Sequence, residues 1–564
     1  MKKIYNFLLG SALVFCTGCS ADLLDIDNPN EVTIPTFWNK AADAEAGVNA
    51  CYSALYKEPT WMRWLSFRYD LSSDEGWSSS PWIELGDWTR FLYSNYNFNE
   101  GNNQHWEYFY MGIFRCNQVL KYVPAIDMDD TEKKQVLAQA SFMRALWYFQ
   151  INLLWDKGTL ILEPVDAGYR PKDATEAEIW AQVEKDLLYA AENLPDSWDA
   201  ENLGRATRGA AKALLGKAYM QQHLYDKAKE QLSWLIEKEK TGLYGLIDNW
   251  VDNFTDLNEN NKESVFEIQF DDKNKGDTGN NASMATGFQR TQFYAPSGIG
   301  WGDGKARRWL VDEYLKEKRI DGENDIRLYN SILYHGFSLD FPNESKKYYN
   351  IADADADEQW NNWGKDPEDC YIRKYNTSYY RDREDYFARN NYRIIRYADI
   401  LLNYAECIVE TNGTVAEAAK YVDQVRDRVG LAKLKDSRWA ACLNSKDAFL
   451  KRLQMERTLE LCFEGWRWAD LKRWGMLDTQ EGINELKSRD ADFNNFVIGK
   501  HRRLPIPQYE IDQSDGQLTY TLNLKIIWKH IINGFFYYFV LCACTFQHKR
   551  YKIQYCRVLL MLVL

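Results

Sequence analysis

The chain reads as a mainly α protein. Its fold class is a tetratricopeptide-like scaffold of helical pairs carrying a large loop-rich region with a few short strands. Three observations predict this. Successive long segments repeat apolar residues at i, i+3, i+4 and i+7, one helix pair has tetratricopeptide spacing, and residues 240–395 lose helical period while gaining Gly, Asn, Asp and aromatic residues.

The first element is a targeting segment. Lys2 and Lys3 precede an apolar run, Ile4 to Phe15, too short to span a bilayer, which closes on Cys16-Thr17-Gly18-Cys19. The small-small-Cys ending resembles the bacterial lipoprotein signal, which makes residues 1–18 a signal peptide and Cys19 the lipidated first residue of the mature chain. An ordinary secretory signal cut near Gly18 is the alternative, and Cys16 stands where the lipoprotein pattern has Leu. Either route exports the protein. Acyl chains on Cys19 would anchor it at a membrane surface by burying methylenes worth roughly 0.8 kcal/mol each.

Lys40 to Glu58, Asn103 to Val123, Thr131 to Trp155 and Ala174 to Leu194 are amphipathic and predict helices, the last with acidic residues in its first turn, where the helix dipole favours them. Leu215, Gly216, Tyr219, Ala228 and Leu232 then share one tetratricopeptide register, in which small residues let antiparallel helices close. Tyr397 to Glu410 and Val415 to Gly430 form a similar pair across Thr411-Asn412-Gly413-Thr414. The scaffold therefore runs over 40–240 and 396–475, with irregular regions at 59–102 and 240–395. Ser264 to Phe270 and Tyr371 to Asn376 read as short strands.

The end of the chain is anomalous. All 82 acidic residues precede Gly516, although Lys and Arg continue into the tail. Leu524 to Cys544 is apolar but interrupted by Lys525, Lys529 and His530, a poor membrane span and one that would strand an exported lipoprotein in the inner membrane. Residues 516–564 read as a frameshifted or read-through tail on a domain covering 19–515.

Composition excludes some functions. A net charge of -13 argues against a nucleic-acid partner, since phosphate binding needs basic surface. No CxxC or Cys/His metal spacing occurs in residues 20–515, so neither a structural metal nor a cofactor is expected, and the body cysteines read as buried thiols rather than a disulfide framework. The outlier is 22 Trp and 36 Tyr. These side chains present a flat apolar face and a polar edge, which suits sugar rings. In the irregular regions the candidates are Trp61, Trp77, Trp82 and Trp88, with Trp64 beside them, and Phe293, Tyr294 and Trp301 in a glycine-rich loop expected to be flexible.

Other constellations favour structure. Glu460 and Glu464, within Glu456 to Trp474, are one helical turn apart and pair naturally with neighbouring Arg, although two carboxyls in a cleft would also suit a glycosidase. Asp353, Asp355 and Asp357 alternate like a calcium loop but lack its glycine and distal glutamate. Arg393, Arg396 and Asp399, read at helical spacing, suggest an internal ion-pair network.

In order along residues 19–512, FWNKAADAEAGVNACYSAL, RALWYFQINLLWDKGTLIL, RATRGAAKALLGKAYM, YRIIRYADILLNYAE, ERTLELCFEGWRWADLKRW and LPIPQYEID resemble the SusD/RagB family of outer-membrane glycan-binding lipoproteins. The resemblance implies four tetratricopeptide-like helix pairs, a loop-rich face that binds an oligosaccharide without catalysis, and a SusC-like TonB-dependent transporter as partner. In the family the sugar contacts come from loops in these two regions but vary with the sugar, so no site transfers residue by residue. The family's closing Leu-Thr-Gln-Asn-Pro-Gly-like segment is replaced after Gln517-Leu518-Thr519. A secreted glycoside hydrolase and a protein-binding tetratricopeptide adaptor are the competing readings.

Overall fold

The structure, a computed structural model, describes residues 37–93, 103–166, 168–273, 286–340, 349 and 368–519. Cys19, the acidic triplet Asp353, Asp355 and Asp357, and nearly all of the 516–564 tail lie outside them. Among the described residues no helix is long and apolar enough to cross a membrane.

Eight helices build the scaffold: α1 (Ala41–Ser53), α2 (Gln104–Tyr122), α3 (Asp130–Trp155), α4 (Glu176–Asn193), α5 (Arg208–Gln221), α6 (Tyr225–Lys238), α7 (Tyr397–Glu410) and α8 (Val415–Arg428). From α2 onward each packs on the next in sequence, and α1 docks on α2 and α3. Their starts are encoded locally. Asp129 accepts hydrogen bonds from the Thr131 and Glu132 amides, Thr175 and Glu178 form a capping box, and Thr207 and Thr414 cap α5 and α8. Small residues set the close approaches. A Cβ on Gly216 would lie 2.7 Å from Leu232, and one on Gly112 only 2.3 Å from the Trp147 indole nitrogen, so these glycines admit the facing helix.

α6 packs directly on α7 although residues 239–396 separate them in sequence. The irregular region is thus an excursion from a continuous helical stack. It leaves and returns through an antiparallel strand pair, Ser264–Ile268 with Tyr392–Arg396, in which Ser264 faces Arg396 and Ile268 faces Tyr392. Arg393 and Arg396 therefore lie on a fully buried strand, not on the helix their spacing suggested, and α7 begins at Tyr397. The β-branched Ile394-Ile395 run and its pairing override the helical spacing. The second strand is also shorter than expected, Cys370–Ile372. It joins a four-stranded sheet in the order Gly76–Trp77, Lys305–Ala306, Cys370–Ile372, Ile332–Leu333. That sheet stitches the two irregular regions together.

The C-terminal helices α9 (Lys446–Leu461) and α10 (Arg467–Arg473) carry a buried charge lattice. Arg396 donates to Glu263, Glu460 and Glu464, Arg327 to Asp325, Glu456 and Glu460, and Arg457 to Asp399 and Asp470. An unpaired charge in such an interior would be very costly, so the lattice locks the excursion against the scaffold.

Candidate functional site

The first irregular region folds into short helices, Trp64–Leu71 and Ile83–Thr89, flanking the strand Gly76–Trp77. Every residue of Trp64–Leu71 is buried. Trp64 forms a hub, edge-to-face with Trp82 at 4.8 Å and Trp88 at 6.2 Å and tilted against Phe293 at 5.7 Å, with the Arg63 guanidinium 4.1 Å from its ring centre. Trp61 packs on Trp147 at 5.3 Å.

This placement divides the sequence candidates. Trp61, Trp64, Trp88, Phe293 and Tyr294 are core residues, between 0 and 5 % exposed. A sugar cannot lie on a ring whose faces protein already covers, so these five are excluded as a contact surface, and Trp64 and Phe293 pack beneath the candidate face. Tyr294 is further committed, its hydroxyl donating to Asp70 at 2.7 Å. Trp77 and Trp82 are half-buried, while Trp301 is 49 % exposed.

The Trp301 loop is held tightly rather than left flexible. The Trp301 amide donates to the Gln292 carbonyl at 2.8 Å and the Asp303 amide to the Phe293 carbonyl at 2.7 Å. Gly302 sits at φ +68°, and a Cβ on Gly304 would come within 2.1 Å of the Tyr294 ring. The glycines are there for left-handed backbone and close approach. The result is a fixed Trp301, edge-on to Phe293 beneath it (4.9 Å, 79°) and to Tyr386 beside it (5.4 Å, 82°).

Polar groups surround these rings. The Ser80 hydroxyl donates to Asp303 Oδ1 at 2.5 Å, joining the Trp77–Trp82 segment to the Trp301 loop. Burial pushes the Asp303 carboxyl above its ordinary value, against the Ser80 hydrogen bond and the Arg63 charge. Trp82 donates its indole N–H to Glu84, and Trp77 donates to the Ala306 carbonyl with Lys305 and Arg307 near its face. Sequence reasoning missed Ser80, Asp303, Arg63 and Tyr386. Asp303 had a signal, two residues from Trp301 within Gly302-Asp303-Gly304, whereas Tyr386 joins the cluster only through tertiary packing.

This surface offers one exposed indole, a half-buried tyrosine beside it and a nearby carboxylate–hydroxyl pair. Aromatic faces pair with apolar C–H surfaces and the polar groups with hydroxyls. Larger concavities lie elsewhere. A cleft of about 400 Å³ beside Trp474 is walled by the C-terminal segment 451–489, and another of about 300 Å³ beside Trp198 and Tyr244 by the 196–207 loop and the start of the excursion. At the aromatic cluster the Trp301 ring stands half in solvent, within reach of a ligand.

The carboxylates that would serve a hydrolase are occupied. Glu460 receives Arg396, Arg327, Arg428 and the Trp250 indole N–H, and these charges hold it far below the usual carboxylate range despite complete burial. Glu464 receives Arg396 and Lys374.

Comparison with known proteins places this architecture. The model of a family described as "Starch-binding associating with outer membrane" matches residues 22–220, and that of the SusD family matches residues 262–521. The SusD-like protein P25 of Formosa agariphila is 27 % identical over 537 residues, covering 90 % of this chain and 97 % of that one. A SusD superfamily protein from Bacteroides vulgatus superposes with a TM-score of 0.71 at 25 % identity, covering 85 % of this chain and 98 % of the other. Surface glycan-binding protein A from Bacteroides thetaiotaomicron, solved in complex with laminarihexaose, superposes with a TM-score of 0.67 at 22 % identity, covering 86 % and 99 %.

Proposed function

The chain belongs to the SusD/RagB family, and on that premise we propose that it is an outer-membrane lipoprotein displayed at the cell surface. It binds an oligosaccharide without catalysis and delivers it to a SusC-like TonB-dependent transporter. The observation that carries the reading is the exposed Trp301, fixed over Phe293 and flanked by Tyr386, Asp303 and Ser80. Trp301 stacks on a sugar ring, Trp77 and Trp82 flank it, and the polar pair receives hydroxyls. The laminarihexaose complex of a structural neighbour supports the ligand class. Burial of Glu460 and Glu464 in ion pairs supports binding over hydrolysis.

Calorimetry against a polysaccharide panel that includes laminarin, with a reducing-end assay on the same samples, tests the proposal. The expected result is saturable binding to at least one glycan with no release of reducing ends. Cleavage would favour the hydrolase. Absence of any glycan binding alongside stable capture of a transporter barrel would favour the protein adaptor. Anchoring is tested separately, since Cys19→Ala should abolish labelling by a tagged fatty acid and release the protein from the outer membrane. Equal labelling of both forms would remove the lipoprotein part.

A further inference from the structure

α1 and α2 are antiparallel neighbours whose register can be read from their contacts. Trp38, just before α1, stacks on Tyr122 at the end of α2 at 5.8 Å. One step along, a Cβ on Gly47 would lie 3.3 Å from Val119. Further along still, Arg115 donates to the Ala50 carbonyl at 3.0 Å and to the Ser53 hydroxyl at 2.6 Å. The α1 number rises as the α2 number falls, which sets Cys51 against Cys116. Both are wholly buried free thiols, and Cys51 is close enough to be among the groups that raise the Cys116 thiol.

We propose that Cys51 and Cys116 form a disulfide that staples α1 to α2 in the exported protein. No other pair of the described cysteines comes with a comparable register. Cys370, Cys407, Cys442 and Cys462 lie on a strand, on α7, on a 3₁₀ turn and just past α9.

The chemistry balances with a dithiol–disulfide oxidase of the exported compartment as electron acceptor. One cysteine, as thiolate, attacks the oxidase disulfide and forms a mixed disulfide, releasing one oxidase thiol. The second cysteine then attacks the mixed disulfide, the Cys51–Cys116 bond forms, and the oxidase leaves as a dithiol. Two protons and two electrons have left the pair. Burial raises the Cys116 thiol well above its ordinary value, so the closed interface holds no ready nucleophile. The bond therefore forms while α1 docks on α2, before water is excluded. Linking residues this far apart in sequence removes considerable freedom from the unfolded chain. It would fasten α1, the first helix among the described residues, to the rest of the stack.

The inference rests on the export reading only for its oxidising compartment, so the test has two arms. In the first, the full chain is expressed with its own leader, denatured without reductant, alkylated and digested with trypsin. In the second, purified reduced full chain is refolded in a glutathione redox buffer and treated identically. The expected product in both is peptide 41–57 joined to peptide 116–121, two hydrogens lighter than the separate thiols, and converted to two free peptides by reductant. Cys51→Ala should leave peptide 116–121 fully alkylated. Peptides 41–57 and 116–121 both alkylated after refolding would overturn the proposal. Linkage after refolding but not in cells would uphold the pair and count against export.

Discussion

Arg467 holds Asp74 through two parallel hydrogen bonds, Nε to Oδ1 at 2.6 Å and Nη2 to Oδ2 at 2.7 Å, with both side chains buried. The pair ties α10 to the segment that leads into Trp77, Ser80 and Trp82. Burial alone would raise the Asp74 carboxyl, but Arg467 and then Arg489 hold it below its ordinary value. The Trp-rich motif near the C-terminus thus acts on the candidate site through a carboxylate close to the N-terminus.

Removing Arg467 strips the buried Asp74 of its two-pronged partner and leaves it the single hydrogen bond from Arg489 at 3.0 Å. Arg467→Met should therefore destabilise the protein, by less than the about 3–5 kcal/mol that a wholly uncompensated buried charge costs. Arg467→Lys keeps the charge but loses the fork geometry, and should fall between the two. Denaturant titration of the three proteins checks the order. Equal stability of Arg467→Met and wild type would show that the pair is not a fastening.

Exposure separates the aromatic candidates into two classes of mutant. Trp301→Ala should weaken glycan binding by about 1–3 kcal/mol with little change in melting temperature, because its ring is half in solvent. Trp77→Ala and Trp82→Ala should weaken binding less and cost some stability, since each ring is partly buried and spends its N–H on a protein acceptor. Phe293→Ala should instead cost about 3–5 kcal/mol of stability, the usual range for emptying an aromatic core position. Calorimetry with parallel thermal melts decides. Wild-type binding by Trp301→Ala would move the site off this face.

The division between what the sequence discloses and what it hides follows from the range of the interactions. The scaffold was legible because i, i+3 and i+4 repetition and the Gly216–Leu232 approach are local properties of amphipathic helices. Trp64–Leu71 was not, since a short helix buried on every side has no polar face to generate a period. Arg393 and Arg396 misled for a related reason: spacing by three fits a helix, but strand pairing across the excursion decides the conformation. At the site, Trp301 and its glycines announced themselves. Its neighbour Tyr386, and Ser80 on the adjacent Asp303, come from distant segments and left no spacing to find.

Acid should unfold the protein through the buried lattice. Burial would raise the Asp399 carboxyl, but Lys217 and Arg457 outweigh it and bring it to about 2 from an ordinary 3.8. Glu456 and Glu460 are displaced downward in the same sense by their arginines. Because these carboxyls release protons more readily folded than unfolded, the unfolded chain binds more protons as pH drops below about 4. Their stabilisation is complete above that range and is lost as pH falls through the folded values, Asp399 alone accounting for about 2 kcal/mol. Urea midpoints between pH 6 and pH 2 should decline steeply below 4. A flat profile would mean that the lattice is not ionised in the folded state.

The boundary of the folded body can be tested one residue at a time. The described chain runs past Asp515 to Thr519, and Leu518 is 2 % exposed, its amide donating to the Ser514 hydroxyl. Thr519 donates its hydroxyl to Asp173 and offers its carbonyl to Lys157, closing the chain against the segment before α4. Truncation after Asp515 removes a buried leucine and these contacts, and should cost about 2–3 kcal/mol, the scale of a large apolar side chain lost from a core. Truncation after Thr519 removes only sequence without a single acidic residue and should leave the melting temperature and glycan binding unchanged. Thermal melts of the two truncations beside the full chain distinguish the cases. A loss of several degrees on cutting after Thr519 would show that the tail packs against the body, and the read-through interpretation would fall.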